Sequence, residues 1–359
     1  MKEKRSAIYT PYSKTLGGGE RYILTLAQIL LDNNWRVEIT LPDQTILEKS
    51  RQRFNLSLEK LQLIKNDFLT TKNLFKRWRY HRHYDLLFWV SDGSIPLMFA
   101  KKNILHFQVP FHNVNKNPHF NRMKFFLIDK IACNSYFTKN VVDKEFNVKS
   151  SVWYPPVSVE NFHIGNKENI ILSVGRFEES MNVKRQDVLV KAFKKLCDEG
   201  LNNWRFVLIG GSSAAEKDNK FLQKLKEASR NYPIEFKVNA SFETLKNFYS
   251  RAKIFWHAAG FGFDETAQPE KMEHFGMSTI EAMSAGCWPL VYSAGGQKEI
   301  FENFSRREMI LWQSFDQLIQ KTLEVIKYLS NKKLSSKETI ELSQKFSIKA
   351  FRKNVQRFL

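Results

Sequence analysis

Two glutamates with seven residues between them frame the stretch richest in chemistry, Glu273-His274-Phe275-Gly276-Met277-Ser278-Thr279-Ile280-Glu281. Gly276 permits a tight turn, and Ser278 or Thr279 could cap a helix starting there. Gly286 and Pro289 mark its end. Such a junction aims the amides of Phe275, Gly276 and Met277 out of the helix start, where an anion is favoured. Glu273 on the approach and Glu281 inside the helix would then accept from hydroxyls on either side of those amides. The combination suits a phosphorylated, hydroxyl-rich ligand. An amphipathic helix with two solvated glutamates has the same spacing, so the surrounding residues must decide.

Arg176 and Lys184 are the matching cations. A buried strand from Asn169 to Val174 delivers Gly175-Arg176-Phe177, and Lys184-Arg185-Gln186-Asp187 opens a helix with Val188, Leu189, Ala192, Phe193 and Leu196 on one face. A lysine at a helix N-terminus opposes the macrodipole, and a bound diphosphate would supply the missing anion. In isolation the two residues read as surface cations, and Arg185 could trade places with Lys184. Gly210 and Asn239 end later strands and are candidate nucleotide contacts by position. In the first half, Gly17-Gly18-Gly19 joins a strand to a helix, where backbone can approach a ligand closely. It is not a dinucleotide fingerprint, because Tyr22 stands where the last glycine belongs, nor a Walker loop. Asp92 and His106 fall at strand ends, where open α/β sheets bind ligands, although a lone histidine in an apolar strand is more often a satisfied core residue.

No Asp-x-Asp occurs, and no His/Asp/Glu group has metal-ligand spacing. No metal and no cofactor are therefore expected. Charge developing on an expelled diphosphate would fall to fixed cations and helix amides.

The stretch from Ile254 to Ile300, with its E-x7-E and the following "GCWPLVYSAGGQKEI", resembles glycosyltransferase family 4, retaining group 1 enzymes of the GT-B fold. The likeness extends over nearly the whole chain, and "GGGER" (residues 17–21) looks like the start of dolichol-pathway α-1,2-mannosyltransferases. The resemblance implies donor-sugar contacts from Glu273 and His106, ribose contact from Glu281, and donor diphosphate binding by Gly18, Gly19, Arg176, Lys184 and the Phe275–Met277 backbone. It implies metal-independent transfer of a hexose, mannose among the options, from a GDP- or UDP-linked sugar to a hydroxyl of a glycan or lipid-linked acceptor. Rivals are a degenerate GT-B protein serving as a basic lipid- or RNA-binding scaffold, and a nucleotide-sugar epimerase of the same fold.

With 359 residues the chain is long for one domain, and 43% hydrophobic content suffices for two cores. Alternating strands and helices predict an α/β protein with two Rossmann-like, doubly wound domains facing a cleft. The expected bounds are 1–160 on the acceptor side and 161–339 for the nucleotide-sugar, with a helix in 340–359 crossing back to the first domain. Cys133, Cys197 and Cys287 lack C-x-x-C spacing and read as reduced core residues. No apolar run nears the roughly 18 residues of a membrane span, and the N-terminus does not read as a signal peptide. A cytoplasmic protein, peripheral on a membrane, is expected.

The net charge of +19 calls for an anionic partner. Residues 72–83, "KNLFKRWRYHRH", combine five Lys/Arg with Phe75, Trp78 and Tyr80 and no acid. A basic helix interleaved with aromatics suits an anionic membrane surface. A helix packed by its aromatics with a solvated basic face is the plainer reading, and no specific nucleic acid is expected.

Overall fold

The computed structural model describes residues 3–12, 17–178, 184–212, 216–331 and 335–358. The chain divides into two compact units, Met1–Pro156 joined by Ile348–Leu359, and Val157–Ser347. The expected bounds put these two crossings a few residues later and a few residues earlier.

In the first unit the order is β1 (Arg5–Tyr9), α1 (Gly18–Asp32), β2 (Arg36–Ile39), α2 (Gln44–Phe54), β3 (Gln62–Leu63), α3 (Asn66–Thr70), α4 (Leu74–His81), β4 (Leu86–Val90), β5 (Lys102–Phe107), α5 (Pro118–Phe125), β6 (Lys130–Cys133), α6 (Tyr136–Phe146) and β7 (Ser151–Val152). The strands form one parallel sheet in the order β3-β2-β1-β4-β5-β6-β7. Every residue of β4, Leu-Leu-Phe-Trp-Val, is buried, as a strand covered on both faces requires. Asp43, Asn73 and Ser135 cap α2, α4 and α6 by accepting from backbone amides.

The second unit runs β8 (Glu168–Val174), α7 (Gln186–Asp198), β9 (Arg205–Gly210), α8 (Glu216–Ala228), β10 (Ile234–Val238), α9 (Phe242–Arg251), β11 (Ala252–His257), α10 (Met277–Ser284), β12 (Trp288–Tyr292), α11 (Gln297–Ile300), α12 (Arg307–Ile310), β13 (Leu311–Trp312), α13 (Phe315–Ser330) and α14 (Lys337–Ser343). Its parallel sheet is ordered β10-β9-β8-β11-β12-β13. Both sheets therefore carry the doubly wound pattern in which strand order reverses beside the first strand, and the crevice at the carboxyl ends there is where such sheets bind ligands.

The last helix, α15 (Ile348–Gln356), belongs to the first unit. Its Phe351 and Val355 are buried in the core that also holds Tyr22 and Leu26 of α1. Arg352 pairs with Asp32, and Lys102 donates to the carbonyl of Phe358 at 3.0 Å.

Candidate active site

In the second unit the loops after β8 and β11 meet at the reversal of strand order. Lys184 lies on the first and Glu273 on the second, and Lys184 Nζ is 2.5 Å from Glu273 Oε2. His257, the last residue of β11, puts Nε2 3.1 Å from the same oxygen. Its Nδ1 accepts from the Ala259 amide at 3.3 Å, so the ring proton sits on Nε2, the nitrogen nearer the carboxylate. Burial alone would raise the Glu273 carboxyl. The Lys184 charge and the His257 contact more than offset it and hold the group well below the usual range. Burial lowers the His257 pKa, against the pull of Glu273, and the ring is neutral.

The helix expected to open at Lys184 starts at Gln186 instead. Arg185 occupies the preceding position with a left-handed φ of 51°, which ends any continuous helix through Lys184. The anion beside Lys184 is thus Glu273, and not one owed to the macrodipole. Lys184 and Arg185 do not trade places: Arg185 forks onto Asp187 with two contacts of 3.0 Å and donates to the Phe261 carbonyl. Arg176 is a half-exposed cation, 3.3 Å from Glu178.

α10 begins at Met277 behind Gly276, whose φ of 113° is open to glycine and costly for other residues. Neither Ser278 nor Thr279 caps the helix. The Thr279 hydroxyl donates to Gln297 Oε1 at 2.8 Å, and this buried glutamine holds the helix entry. Among the described residues, the amides of Gly276, Met277 and Ser278 donate to no acceptor, so the helix start presents donors to an anion. Glu281, one turn further in, accepts from the Tyr249 hydroxyl at 3.1 Å and is 8% exposed.

Two features escaped the sequence reading. His257 looked like part of a strand, and only the fold brings it to Glu273. Gly295-Gly296 looked like family likeness and turns out to be shape. A Cβ on Gly295 would fall 2.3 Å from the Glu273 carbonyl, and one on Gly296 2.3 Å from that of His274. The Gly296 amide donates to the Glu273 carbonyl at 2.7 Å, fixing the loop that carries the carboxylate.

Gly210 ends β9, and Asn239 directly follows β10. The Asn239 amide donates to the Gly210 carbonyl at 2.9 Å, and its Oδ1 accepts from Ser212 at 3.1 Å. Gly18 and Gly19 form the first turn of α1 in the first unit, where Glu20 accepts from the Gly17 amide at 2.9 Å.

His106 does not stand open at its strand end as expected: its ring is fully buried and stacks on Tyr22 at 4.3 Å, beneath α1. Nδ1 donates to the Ala132 carbonyl at 3.1 Å, and burial lowers the pKa to about 3. Gln108, two residues on, is the side chain that reaches the glycine turn, donating to the Gly19 carbonyl at 3.3 Å. Alternation puts both residues on the α1 side, with His106 one pleat deeper. Asp92 is used locally, accepting from the Ser94 amide and hydroxyl at 3.0 and 2.6 Å.

The segment 72–83 also departs from its plainer reading. α4 exposes Leu74, Phe75 and Trp78, and buries His81 instead. Among the described residues no cluster of His, Cys, Asp and Glu could hold a metal ion, and no helix is long and apolar enough to cross a membrane.

Solved structures share this architecture across the whole chain. A glycosyltransferase from Rickettsia africae ESF-5 superposes with a TM-score of 0.73 at 16% identity, covering 100% of this chain and 98% of that one. The Anabaena protein HepE, solved in complex with UDP and glucose, gives 0.71 at 13% identity, covering 99% of each chain. The fold is therefore GT-B. In sequence, a mouse protein named GDP-Man:Man(3)GlcNAc(2)-PP-Dol alpha-1,2-mannosyltransferase is 26% identical, covering 81% of this chain and 73% of its own. The Xenopus laevis protein of the same name is 31% identical over 47% of this chain, which spans only 35% of that relative. The profile of the family described as Glycosyl transferases group 1 matches residues 158–340, the span that contains Arg176, Lys184, His257, Glu273 and Glu281. By that match the chain is a glycosyltransferase and belongs to the group 1 family.

Proposed function

We propose that this protein transfers mannose from GDP-mannose to a hydroxyl of a lipid-linked glycan, with retention at the anomeric carbon and without a metal ion. The observation that carries the reading is the meeting of Lys184, Glu273 and His257 beside the unsatisfied amides of α10. The choice of mannose and of the GDP donor leans on the names of the mouse and Xenopus relatives. Retention leans on the family resemblance.

In this reading the α10 amides and Lys184 take the donor diphosphate, with Arg176 as a second cation. They stabilise the charge that builds as the sugar bond breaks, the task a metal ion would otherwise perform. Glu273 accepts from sugar hydroxyls through Oε1, since both protein contacts fall on Oε2. Glu281 accepts from the ribose.

An anionic membrane surface suits the first unit. Phe75 and Trp78 of α4 and Phe120, Met123 and Phe126 at α5 are exposed among Lys76, Arg79, Arg122 and Lys124. Apolar tips surrounded by cations fit a headgroup boundary. The protein would then work peripherally on a cytoplasmic membrane face.

A thermal-shift series with GDP-, UDP- and ADP-sugars, each with and without EDTA, tests the donor. Saturation at about 100 times Kd adds about 2.7 kcal/mol of stability. A shift with GDP-mannose alone, unchanged by EDTA, is expected. A UDP-sugar response would replace the donor, and an EDTA-sensitive one would remove metal independence. NMR of the product's anomeric proton tests retention.

A further inference from the structure

The second unit contains a cavity that no residue of the Lys184–Glu273 cluster lines. It measures about 620 Å³ and opens between α7, α8 and the loop that follows β11. Asp187, Val190, Lys191 and Lys194 contribute from α7. Their three- and four-residue spacing makes them one stripe of that helix. Phe221, Lys224, Leu225 and Ala228 form a stripe of the same spacing on α8. Phe263 and Lys271 close the third side, and the Phe263 ring carries the Arg185 guanidinium at 5.7 Å and the Lys271 ammonium at 6.0 Å.

The cavity's chemistry is two-sided. Val190, Phe221 and Leu225 are buried and give an apolar floor. Around it stand four lysines and Arg185, against one carboxylate, Asp187, which Arg185 already occupies. Among the described residues Lys191, Lys194 and Lys224 form no ion pair, and the nearest aromatic partner of Lys194 is the Tyr232 ring at 4.9 Å. The next lysine on α7, Lys195, is paired to Asp316 at 3.1 Å, so acids are within reach of this helix on its other side. Like charges gathered at helical spacing repel unless an anion sits among them. Cations at a rim over an apolar floor meet both ends of an amphiphile. The volume lies in the range of small-ligand sites.

We propose that this cavity binds a phosphorylated amphiphile, with the phosphate among Lys191, Lys194 and Lys224 and the apolar part over Phe221 and Leu225. The site is independent of the donor reading, since no donor-cluster residue takes part in it.

Isothermal titration of the full-length protein tests it, with dodecyl phosphate below its micelle concentration as the probe. Inorganic phosphate, dodecyl maltoside, and phosphatidylcholine vesicles with and without phosphatidic acid are the comparisons. The expected result is one dodecyl phosphate per chain, with inorganic phosphate and the neutral maltoside each weaker by roughly tenfold or more, since each lacks one of the two contacts. The double variant Lys191→Glu/Lys224→Glu weakens the phosphate amphiphile by roughly tenfold or more at 0.15 M salt. Ala228→Trp, at an exposed rim position, puts an indole into the cavity mouth and weakens binding by roughly tenfold or more. Both variants keep the wild-type unfolding temperature and its response to nucleotide-sugars. Vesicles that bind only with phosphatidic acid, and lose binding in both variants, identify a membrane lipid as the source; binding of the monomer alone identifies a soluble amphiphile. Equal affinity for dodecyl maltoside, or unchanged affinity in either folded variant, overturns the proposal.

Discussion

The Lys184 ammonium and the Glu273 carboxylate, 89 residues apart in sequence, meet at 2.5 Å with 15% and 10% of their side chains exposed. The pair brings two residues of opposite charge to the reversal point of one sheet. On the proposed reading, a diphosphate bound at Lys184 would share the cation with Glu273.

That pairing sets a stability signature. Removing one partner of a buried pair leaves the other charge uncompensated, so Lys184→Met should cost about 3–5 kcal/mol at pH 7. The folded Glu273 carboxyl lies below its unfolded value. Its contribution in the native protein is therefore complete above the ordinary carboxylate range and lost as pH falls through the depressed value. In Lys184→Met the main offset to burial is gone and the carboxyl rises, so the variant's deficit should shrink as pH falls from 7 to 5. Urea unfolding across that range checks it, and Lys184→Met/Glu273→Gln should recover most of the loss. A deficit independent of pH would place the effect in packing instead of charge.

His257 should act through Glu273. Its protonated Nε2 lies 3.1 Å from Oε2, close enough to steady the carboxylate and leave Oε1 clear of protein contacts. His257→Phe keeps the bulk and removes the donor. It should lower kcat/KM of sugar transfer by roughly 10- to 100-fold, the worth of one hydrogen bond to a charged group. His257→Gln, which can place an amide near Nε2, should retain most of the activity. Equal loss in both variants would leave His257 with a packing role only.

The first unit should be acid-sensitive for a separate reason. His81 and His106 are buried and neutral, with folded pKa values lowered by burial to about 4 and about 3. Unfolding frees each to bind a proton near pH 6.5, so stability is full above that pH and falls below it. Between pH 6.5 and 5 each histidine should cost about 1.6 kcal/mol, the unfolded imidazole being already half protonated at the upper end. Denaturant titrations at the two pH values measure the sum, and His106→Phe should flatten the dependence by about one proton.

Membrane binding should depend on exposed rings as well as charge. Phe75 is 70% exposed and Phe126 83%, and neither packs into a core. Flotation with vesicles rich in phosphatidylserine is expected in low salt, and little with phosphatidylcholine alone. Phe75→Ser/Phe126→Ser should weaken it, each ring being worth about 1.5–3 kcal/mol when fully buried. Unaltered flotation in the double variant would leave the cations as the whole of the attraction.

The sequence by itself determined the local grammar. Apolar runs such as 86–90 specify buried parallel strands, and the E-x7-E stretch with Gly276 specifies a loop entering a helix, because period and turn chemistry are local properties. Composition likewise marked 72–83 as basic and aromatic. What only the tertiary structure decided is which side chains meet. His257 reads as one more strand residue until the loop bearing Glu273 folds over the end of β11. Gly295-Gly296 is an anonymous pair until it lies against the Glu273 and His274 carbonyls. His106 and Gln108 share a face by alternation, yet one lies under Tyr22 and the other reaches Gly19, since depth beneath a helix is not encoded in period. Such meetings depend on strand order and loop path, which contacts distant in sequence establish.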